Sequence, residues 1–438
     1  MSYPAEAASK LLAYGQKKAR ALSSRSYRVV SPTTNGSSFT MSQSLEFVIP
    51  GNQMSSFLDM SSCYIKLKLI NGDGHWIKME QKGGVVNIFK RIDILTSGQT
   101  ISTIDEYPVL YSIFVDTDCS AEYSKNAGNV LMGTGDDIGI QISAAGEYTF
   151  CIPFVMNPLA NANKYIPLFS RDNIRIKIVL NSSVAAFIAE DAGITDANVT
   201  VDSPELIYNV IELSQDAFEA VYHAVDGKFD LVTTDYRHTS ANLTNAQNQS
   251  LVSNLGFAFS SLDRVIISHR ESALVNAPLV RSIGNRAQRG LTEANLLLNG
   301  ESIPSRTIKN VNLQCAEVMA ELLIADRALT NFSHDSRLNK DAAVHPAAIT
   351  GGFKAVAPTG ATDNTGNFVV QIDTESMRSP DSDAIYSGVS TIGGVLQLQT
   401  KYEAAAGSGI ACTLDVYGQF TSLLSLDMKG SQTWINSI

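Results

Sequence analysis

The sequence predicts an all-β protein with two comparable halves and few helices. Short segments of alternating apolar and polar residues recur along all 438 residues, and Gly, Pro and Asn separate them. Many short strands with such punctuation are typical of β-sandwiches or barrels. A helical stretch followed by Asp226-Gly227 divides the chain near its middle, and each half is long enough to bury its own core.

The strands of the first half are predicted from alternation. In residues 63–70 (CYIKLKLI) the lysines fall on one face and Ile65, Leu67 and Leu69 on the other. Residues 174–180 (IRIKIVL) alternate in the same way, so one face should be wet and the other dry. Further strands are predicted at residues 44–49, 88–96, 148–153 and 205–213, and a turn at residues 71–74 (NGDG).

The second half repeats this pattern without residue-level similarity to the first. Strands are predicted at residues 262–268, 291–298, 368–373, 395–402 and 411–424, with a turn at Asn299-Gly300. Three internal helices are predicted at residues 104–115, 214–225 and 311–329. Ser214 is a good N-cap for the second of these, since Ser accepts hydrogen bonds from the first free amides of a helix.

The composition indicates extensive contact surfaces. Charged residues make up only 17% of the chain, and the net charge is -10. The centres of protein interfaces are depleted in charge, so this composition favours large contacts between subunits. The acidic balance argues against a generally basic nucleic-acid-binding protein.

The N-terminal segment differs in charge from the rest. Residues 4–23 are predicted to form a helix with a modest apolar face, and residues 29–43 a flexible connector. Residues 1–28 carry about +5, because six basic residues face Glu6 alone. The basic residues are Lys10, Lys17, Lys18, Arg20, Arg25 and Arg28. We expect these six to contact an anionic partner, with a merely solvated helix as the alternative.

The cysteines favour a reducing compartment. All five (Cys63, Cys119, Cys151, Cys315 and Cys412) are far apart, odd in number and free of any CxxC spacing. We therefore expect buried free thiols, with no disulfide framework and no zinc site. Neither a signal peptide nor a membrane-spanning segment is expected from the hydropathy pattern.

Motifs with possible chemistry are weak. Residues 133–139 (GTGDDIG) lack dinucleotide-loop spacing, and the two Asp residues would repel phosphate. Residues 334–336 (HDS) contain triad residue types, but three neighbours in one loop do not point at one another as a triad requires. Residues 116–118 (DTD) hold two carboxylates for a cation, yet no EF-hand Gly and Glu follow. We expect no enzyme activity, cofactor, metal or small-molecule substrate.

The order of strands and loops resembles one known group of proteins. Residues 45–51 (LEFVIPG), 57–60 (FLDM) and 62–69 (SCYIKLKL) are similar to the first two strands of double jelly-roll major capsid proteins of tailless double-stranded DNA viruses. The most similar members are those of Polinton-like viruses, adintoviruses and virophages. Residues 87–114 are similar to that family's Asn-x-Phe step, strand, loop and Tyr-rich helix.

The resemblance continues to residue 430. Residues 166–180 are similar to the family's leucine-proline step and alternating strand, and residues 206–213 to the exit from its first jelly roll. Residues 297–304 (LLNGESIP) resemble its Val-Asn-Gly-x-x-Ile-Pro turn, and residues 414–427 its closing strand and tail. No single motif is very specific, so the ordered set carries the resemblance.

The resemblance implies two consecutive eight-stranded jelly-roll β-sandwiches, with a few short helices and an N-terminal helical arm. The expected limits are 1–43 for the arm and connector, 44–227 for the first jelly roll, and 228–438 for the second with its C-terminal tail. The implied function is that of a structural major capsid protein forming trimeric, pseudo-hexagonal, hexon-like capsomers of an icosahedral virion.

The implied partners are copies of the chain itself in a homotrimer, neighbouring capsomers, vertex (penton) proteins and minor capsid proteins. The N-terminal arm would contact packaged DNA, an internal membrane or acidic neighbours. The implied location is the virion, assembled in the host cytoplasm or nucleus. Two alternatives remain: a carbohydrate-binding or carbohydrate-active β-sandwich protein, and a minor virion component.

Overall fold

The protein is described by a computed structural model. It describes residues 23–438, except for 97, 136–138, 246, 280–282, 377–386, 405–408, 429–433 and 438, and most of 332–365, where only 334, 336, 338 and 353 are included. The predicted helix at residues 4–23 therefore lies almost wholly outside the described residues.

The first half contains thirteen described strands and four helices. The strands are β1 (Ser24–Pro32), β2 (Ser38–Thr40), β3 (Ser44–Ile49), β4 (Ser56–Asn71), β5 (Ile77–Lys78), β6 (Phe89–Thr96), β7 (Gln99–Asp105), β8 (Gln141–Ile142), β9 (Glu147–Pro153), β10 (Ile166–Pro167), β11 (Ile174–Leu180), β12 (Ile188–Ala189) and β13 (Val199–Leu213). The helices are α1 (Tyr107–Asp118), α2 (Ala121–Lys125), α3 (Ala127–Met132) and α4 (Ser183–Ala186).

Two main sheets form the first half. The larger has the order β1-β13-β4-β10, with β2 also paired to β13 and β9 to β4. The smaller has the order β3-β11-β6-β7. Alternation along β3 buries Leu45, Phe47 and Ile49, and alternation along β11 buries Ile176 and Ile178. The two-residue strands β12, β5 and β8 form a separate short sheet in that order.

The second half follows helix α5 (Gln215–Ala224). Its strands are β14 (Lys228–Leu243), β15 (Ser250–Asn254), β16 (Leu262–Glu271), β17 (Leu291–Leu298), β18 (Glu301–Lys309), β19 (Val370–Asp373), β20 (Leu396–Tyr402), β21 (Cys412–Asp427) and β22 (Trp434–Ser437), and its helix is α6 (Ala316–Ala325). Single 3-10 turns lie at Val85–Ile88, Ser272–Leu274 and Val311–Leu313.

The second half contains a five-stranded sheet and a four-stranded sheet. One has the order β14-β21-β16-β19, with β22 added beside β21, and the other the order β15-β20-β17-β18. Apart from β22, each sheet has four strands, which confirms the predicted eight-stranded sandwich with one additional C-terminal strand. The buried apolar side chains of both halves belong to one continuous cluster, so the two sandwiches share an interior.

Several element limits match the sequence prediction to the residue. Strands β3, β11 and β17 span the predicted residues, 44–49, 174–180 and 291–298. Helix α5 begins after Ser214, whose hydroxyl accepts a hydrogen bond from the Ala217 amide at 3.4 Å. Asn299 and Gly300 both have positive φ, as the tight turn between β17 and β18 requires.

Three predictions are corrected. The flexible connector at residues 29–43 is wrong where β1 and β2 pair with β13, because the partner strand supplies hydrogen bonds that composition does not reveal. The helix predicted at 104–115 begins later, since Glu106 has φ 49° and residues up to Asp105 extend β7. The helix predicted at 311–329 is reduced to α6, because Asn312 and Cys315 have positive φ. The domain limits near residues 43 and 227 stay a prediction.

Candidate functional site

A cluster of buried charges joins the two halves. Asp116 on α1 accepts a hydrogen bond from Arg286, which lies in the loop before β17, and from Lys82 at 3.1 Å. Arg286 also donates to the Ser112 hydroxyl at 2.6 Å. All three charged side chains are at most 1% exposed. We call Lys82, Ser112, Asp116 and Arg286 the seam cluster.

The local structure explains why these residues meet. Ser112 and Asp116 are four residues apart on α1, so both point from one face of the helix toward the second half. Arg286 is held there by its backbone, whose amide donates to the Gly366 carbonyl at 3.0 Å and whose carbonyl accepts from the Phe368 amide at 3.2 Å. A buried cation and carboxylate that pair in this way avoid the cost of an isolated buried charge.

A second set of charged side chains also connects the first half with the second. Arg270 on β16 binds Asp415 through two hydrogen bonds of 2.6 and 3.0 Å and reaches Glu106 at 3.2 Å. Tyr417 donates to the Glu106 carbonyl at 2.8 Å. Burial would raise the pKa of Asp415, but Arg270 and His238 hold it below its ordinary value. Asp415 is therefore ionised at neutral pH and pairs with Arg270.

One seam contact involves a carboxyl group with an unusual pKa. Ser102 on β7 donates to Asp235 on β14 at 2.8 Å, which links the first half to the second. Complete burial raises the pKa of Asp235 to about 7, although the hydrogen bond from Ser102 acts in the opposite direction. The Asp235 carboxyl group at this contact therefore changes its charge near neutral pH.

The structure places two of the six residues predicted to contact an anionic partner. Arg25 on β1 forms an ion pair with Glu212 at 2.7 Å and lies over the Tyr27 ring, while Arg28 donates to Asn209 at 3.4 Å. Being three residues apart on one strand, Arg25 and Arg28 face opposite sides of the sheet. The other four, Lys10, Lys17, Lys18 and Arg20, lie outside the described residues.

An apolar groove of about 760 Å³ lies where the first half leads into the second. Its lining includes Phe57, Leu213, Val221, Val225 and Phe229, from β4, β13, α5 and β14. Two of the lining rings pack against buried Phe169, whose ring lies 5.6 Å from that of Phe57 and 4.9 Å from that of Phe229. Ser24, at the start of β1, lies at the edge of the groove.

The other motifs have structural roles where they are described. The Asp116 carboxylate faces Lys82 and Arg286, so residues 116–118 do not present two carboxylates to one cation. A Cβ on Gly139 would lie 2.5 Å from the Gly133 carbonyl oxygen, so this loop needs glycine for close packing. Asp136, Asp137 and Asp335 lie outside the described residues.

The described residues contain neither a grouped set of metal ligands nor a membrane-spanning helix. Within that part of the chain, no three or more His, Cys, Asp or Glu side chains are grouped so as to hold a metal ion. No helix among the described residues is long and apolar enough to cross a bilayer.

Sequence reasoning missed the seam cluster. Its members are separated by up to 204 positions, and each stands in an unremarkable local context (Lys82 in QKGG, Arg286 in GNRA). The available signal was the position of Asp116 on α1 within a run of buried side chains.

Two jelly-roll sandwiches in one chain define the double jelly-roll class of fold. Among solved structures, PBCV-1 VP54, fitted into a reconstruction of the virophage Sputnik, matches with TM-score 0.60 and 10% identity, over 96% of this chain and 98% of that one. The Faustovirus major capsid protein matches with TM-score 0.61 and 8% identity, over 93% and 91%.

A third match is a chain of the Sputnik virophage structure, with TM-score 0.55 and 10% identity, over 94% of this chain and 88% of that one. No model of a known protein family and no curated protein matches this chain. At such low identities the likeness shows the fold, and it confirms the double jelly roll that the sequence predicts.

Proposed function

We propose that this chain is the major capsid protein of an icosahedral virus. The observation that carries the proposal is the likeness to the Faustovirus major capsid protein and to PBCV-1 VP54 over more than 90% of both chains. A match that covers both sandwiches and their junction is more specific than a match to one jelly roll, a fold that serves many functions.

The proposed assembly unit is a homotrimer. Three copies of a two-sandwich chain place six sandwiches around one axis, which gives a nearly hexagonal outline suited to close tiling. The shared hydrophobic core of the two sandwiches supports this role. Because their interior is continuous and closely packed, one copy of the chain should keep its shape under contact with neighbouring copies. The low proportion of charged residues fits large contacts between copies.

The proposed partners are neighbouring capsomers, vertex proteins and minor capsid proteins, in a virion assembled in the host cytoplasm or nucleus. The role is structural and not catalytic. The six basic residues of the N-terminal region are proposed to contact packaged DNA or an internal membrane. Each basic residue near an anionic membrane contributes about 1 kcal/mol, and many copies in a shell add to a strong collective attraction.

The test is the mass of the full-length recombinant protein by light scattering, together with negative-stain images of the same sample. A mass near three times 47.2 kDa, with hexagonal outlines or closed shells, is expected. A monodisperse monomer at high concentration that forms no particles would overturn the proposal. If particles are found, their subunit stoichiometry distinguishes a major from a minor component.

A further inference from the structure

The described chain begins beside helix α5. The amide of Ser214, the N-cap of α5, donates to the carbonyl of Ser23 at 2.8 Å. Ser24 lies at the edge of the apolar groove, and Val221 and Val225 on the far part of α5 line it. The N-terminal segment, residues 1–22, therefore joins the described part of the chain at the groove itself.

The groove is incompletely covered in the described part of the chain. Val225 is 39% exposed and Tyr165 is 57% exposed, although both line a groove whose lining also includes buried phenylalanine rings. Apolar surface left open beside such rings favours an apolar occupant, since its burial removes that surface from water.

The N-terminal segment has a face that fits such a groove. Placed on a helical repeat of 100° per residue, its three leucines and four of its small residues fall within an arc of about 120°. Lys10, Lys17 and Arg20 point away from this arc, and Lys18 lies at its border. The residues within the arc are Ala5, Ala8, Leu11, Leu12, Gly15, Ala19 and Leu22. Small residues at 15 and 19 let a helix approach a neighbour closely, while the leucines supply apolar contact.

The lengths also agree. Counting back eleven residues from Ser23 reaches Leu12, and counting forward eleven from Ser214 reaches Val225. At a helical rise of 1.5 Å per residue each span is about 16 Å. A helix that runs antiparallel to α5 from Ser23 therefore brings Leu12 level with Val225.

The charges at the edge of the groove determine which side of the N-terminal segment can face it. Lys164 and Lys228 lie at the groove's edge, and Asp230 is already 3.3 Å from Lys228. These cations repel Lys17, Lys18 and Arg20, so the basic side of the segment must face away from the groove.

We propose that residues 5–22 of each chain form a helix that lies in this groove, antiparallel to α5 of the same chain, with its basic side outward. A segment of the same chain is favoured over one from a second copy, because Ser24 already lies at the groove and no linker has to be ordered. The inference does not depend on the capsid function.

The test uses the full-length double variant Leu12→Cys/Val225→Cys under mild oxidation. Peptide mass spectrometry on a mixture of isotopically labelled and unlabelled protein separates bonds within one chain from bonds between chains. We expect an intrachain disulfide, in about tenfold higher yield than in the control Lys17→Cys/Val225→Cys, whose residue 17 lies on the basic side. The unsubstituted protein gives the background from the native cysteines.

A second measurement tests the same proposal without relying on disulfide formation. Hydrogen exchange of residues 215–225 is compared in the full-length variants Leu11→Ser/Leu12→Ser and Lys17→Ser/Lys18→Ser. We expect about tenfold faster exchange in the leucine variant and no change in the lysine variant. Bonds mainly between chains, or no bond above the control together with unchanged exchange, would overturn the proposal.

Discussion

The ammonium nitrogen of Lys82, in the first half, lies 2.8 Å from the carbonyl oxygen of Gly284 and 3.0 Å from that of Gly366, both in the second half. Its third contact is the Asp116 carboxylate at 3.1 Å. An ammonium group has three donors, and here all three have acceptors. A single buried side chain thus joins three segments that are far apart in sequence.

Replacing Arg286 should destabilise the fold strongly. Arg286→Met removes the buried charged hydrogen bonds to Asp116 and Ser112 while Lys82 still pairs with Asp116, and the loss of such hydrogen bonds costs about 1.5–3 kcal/mol. Arg175→Met is the matched control, since Arg175 is 59% exposed and its pair with Glu46 should contribute at most about 1 kcal/mol. Denaturant unfolding measures both, and equal losses would show that the seam cluster contributes no special stability.

Gly284 should not accept a side chain. A Cβ there would lie 2.4 Å from the Glu80 carboxylate and 2.9 Å from Cδ of Lys82, so Gly284→Ala must displace part of the seam. We expect a loss of about 1–3 kcal/mol in the free energy of unfolding. Gly74→Ala is the control, because nothing lies within 4 Å of its Cβ position. The expectation fails if the two variants unfold at the same denaturant concentration.

The stability of the fold should decrease from pH 5 toward pH 8. Burial raises the pKa of Asp235 to about 7 and that of Asp263 to about 6, so both bind protons more tightly when folded than when unfolded. Their contribution is complete below the unfolded value near 3.9 and is lost as pH rises through the folded pKa.

Asp235→Asn should therefore reduce this pH dependence, by at most about 1.4 kcal/mol per pH unit, and raise stability relative to the native protein at pH 8. Glu301→Gln, at the exposed first residue of β18, is the control. Urea unfolding at pH 5, 6, 7 and 8 measures the slope. An unchanged slope in Asp235→Asn would contradict the assignment.

The thiols should react in two groups. All five cysteines are free, as the sequence predicts, but the predicted burial holds only for Cys63, Cys315 and Cys412, while Cys119 and Cys151 are partly exposed. Burial raises the pKa of the Cys63 thiol to about 12, which leaves almost no reactive thiolate at pH 8. Timed alkylation with peptide mapping should label Cys119 and Cys151 first, and early labelling of Cys63 would show that this sheet opens in the native state.

Local alternation explains how much of the fold the sequence predicts. Strands such as β11 are read correctly because every second side chain enters the core, a property of seven adjacent residues. Strand β1 was missed because most of its side chains are exposed and its hydrogen bonds come from β13, about 180 residues away. Because both faces of such an exposed edge strand are polar or solvent-exposed, its sequence shows little alternation of apolar and polar residues.

The seam cluster could not be predicted for a related reason. The residues next to Asp116 in the sequence do not indicate that Arg286 is its partner. The two residues are 170 positions apart and meet only when both halves fold. The two described arginines of the basic region show the same limit. Their charge was evident from the sequence, but the strand that turns them to opposite faces of the sheet was not.

The shared interior has a mechanical consequence. Lys82, Asp116 and Arg286 fasten the two sandwiches at a point where sliding would expose unpaired charge, and three residues separate α5 from β14. Neither sandwich is therefore free to pivot against the other. In a particle built from copies of this chain, we expect internal pressure to cause bending at the interfaces between copies, while each copy keeps its shape.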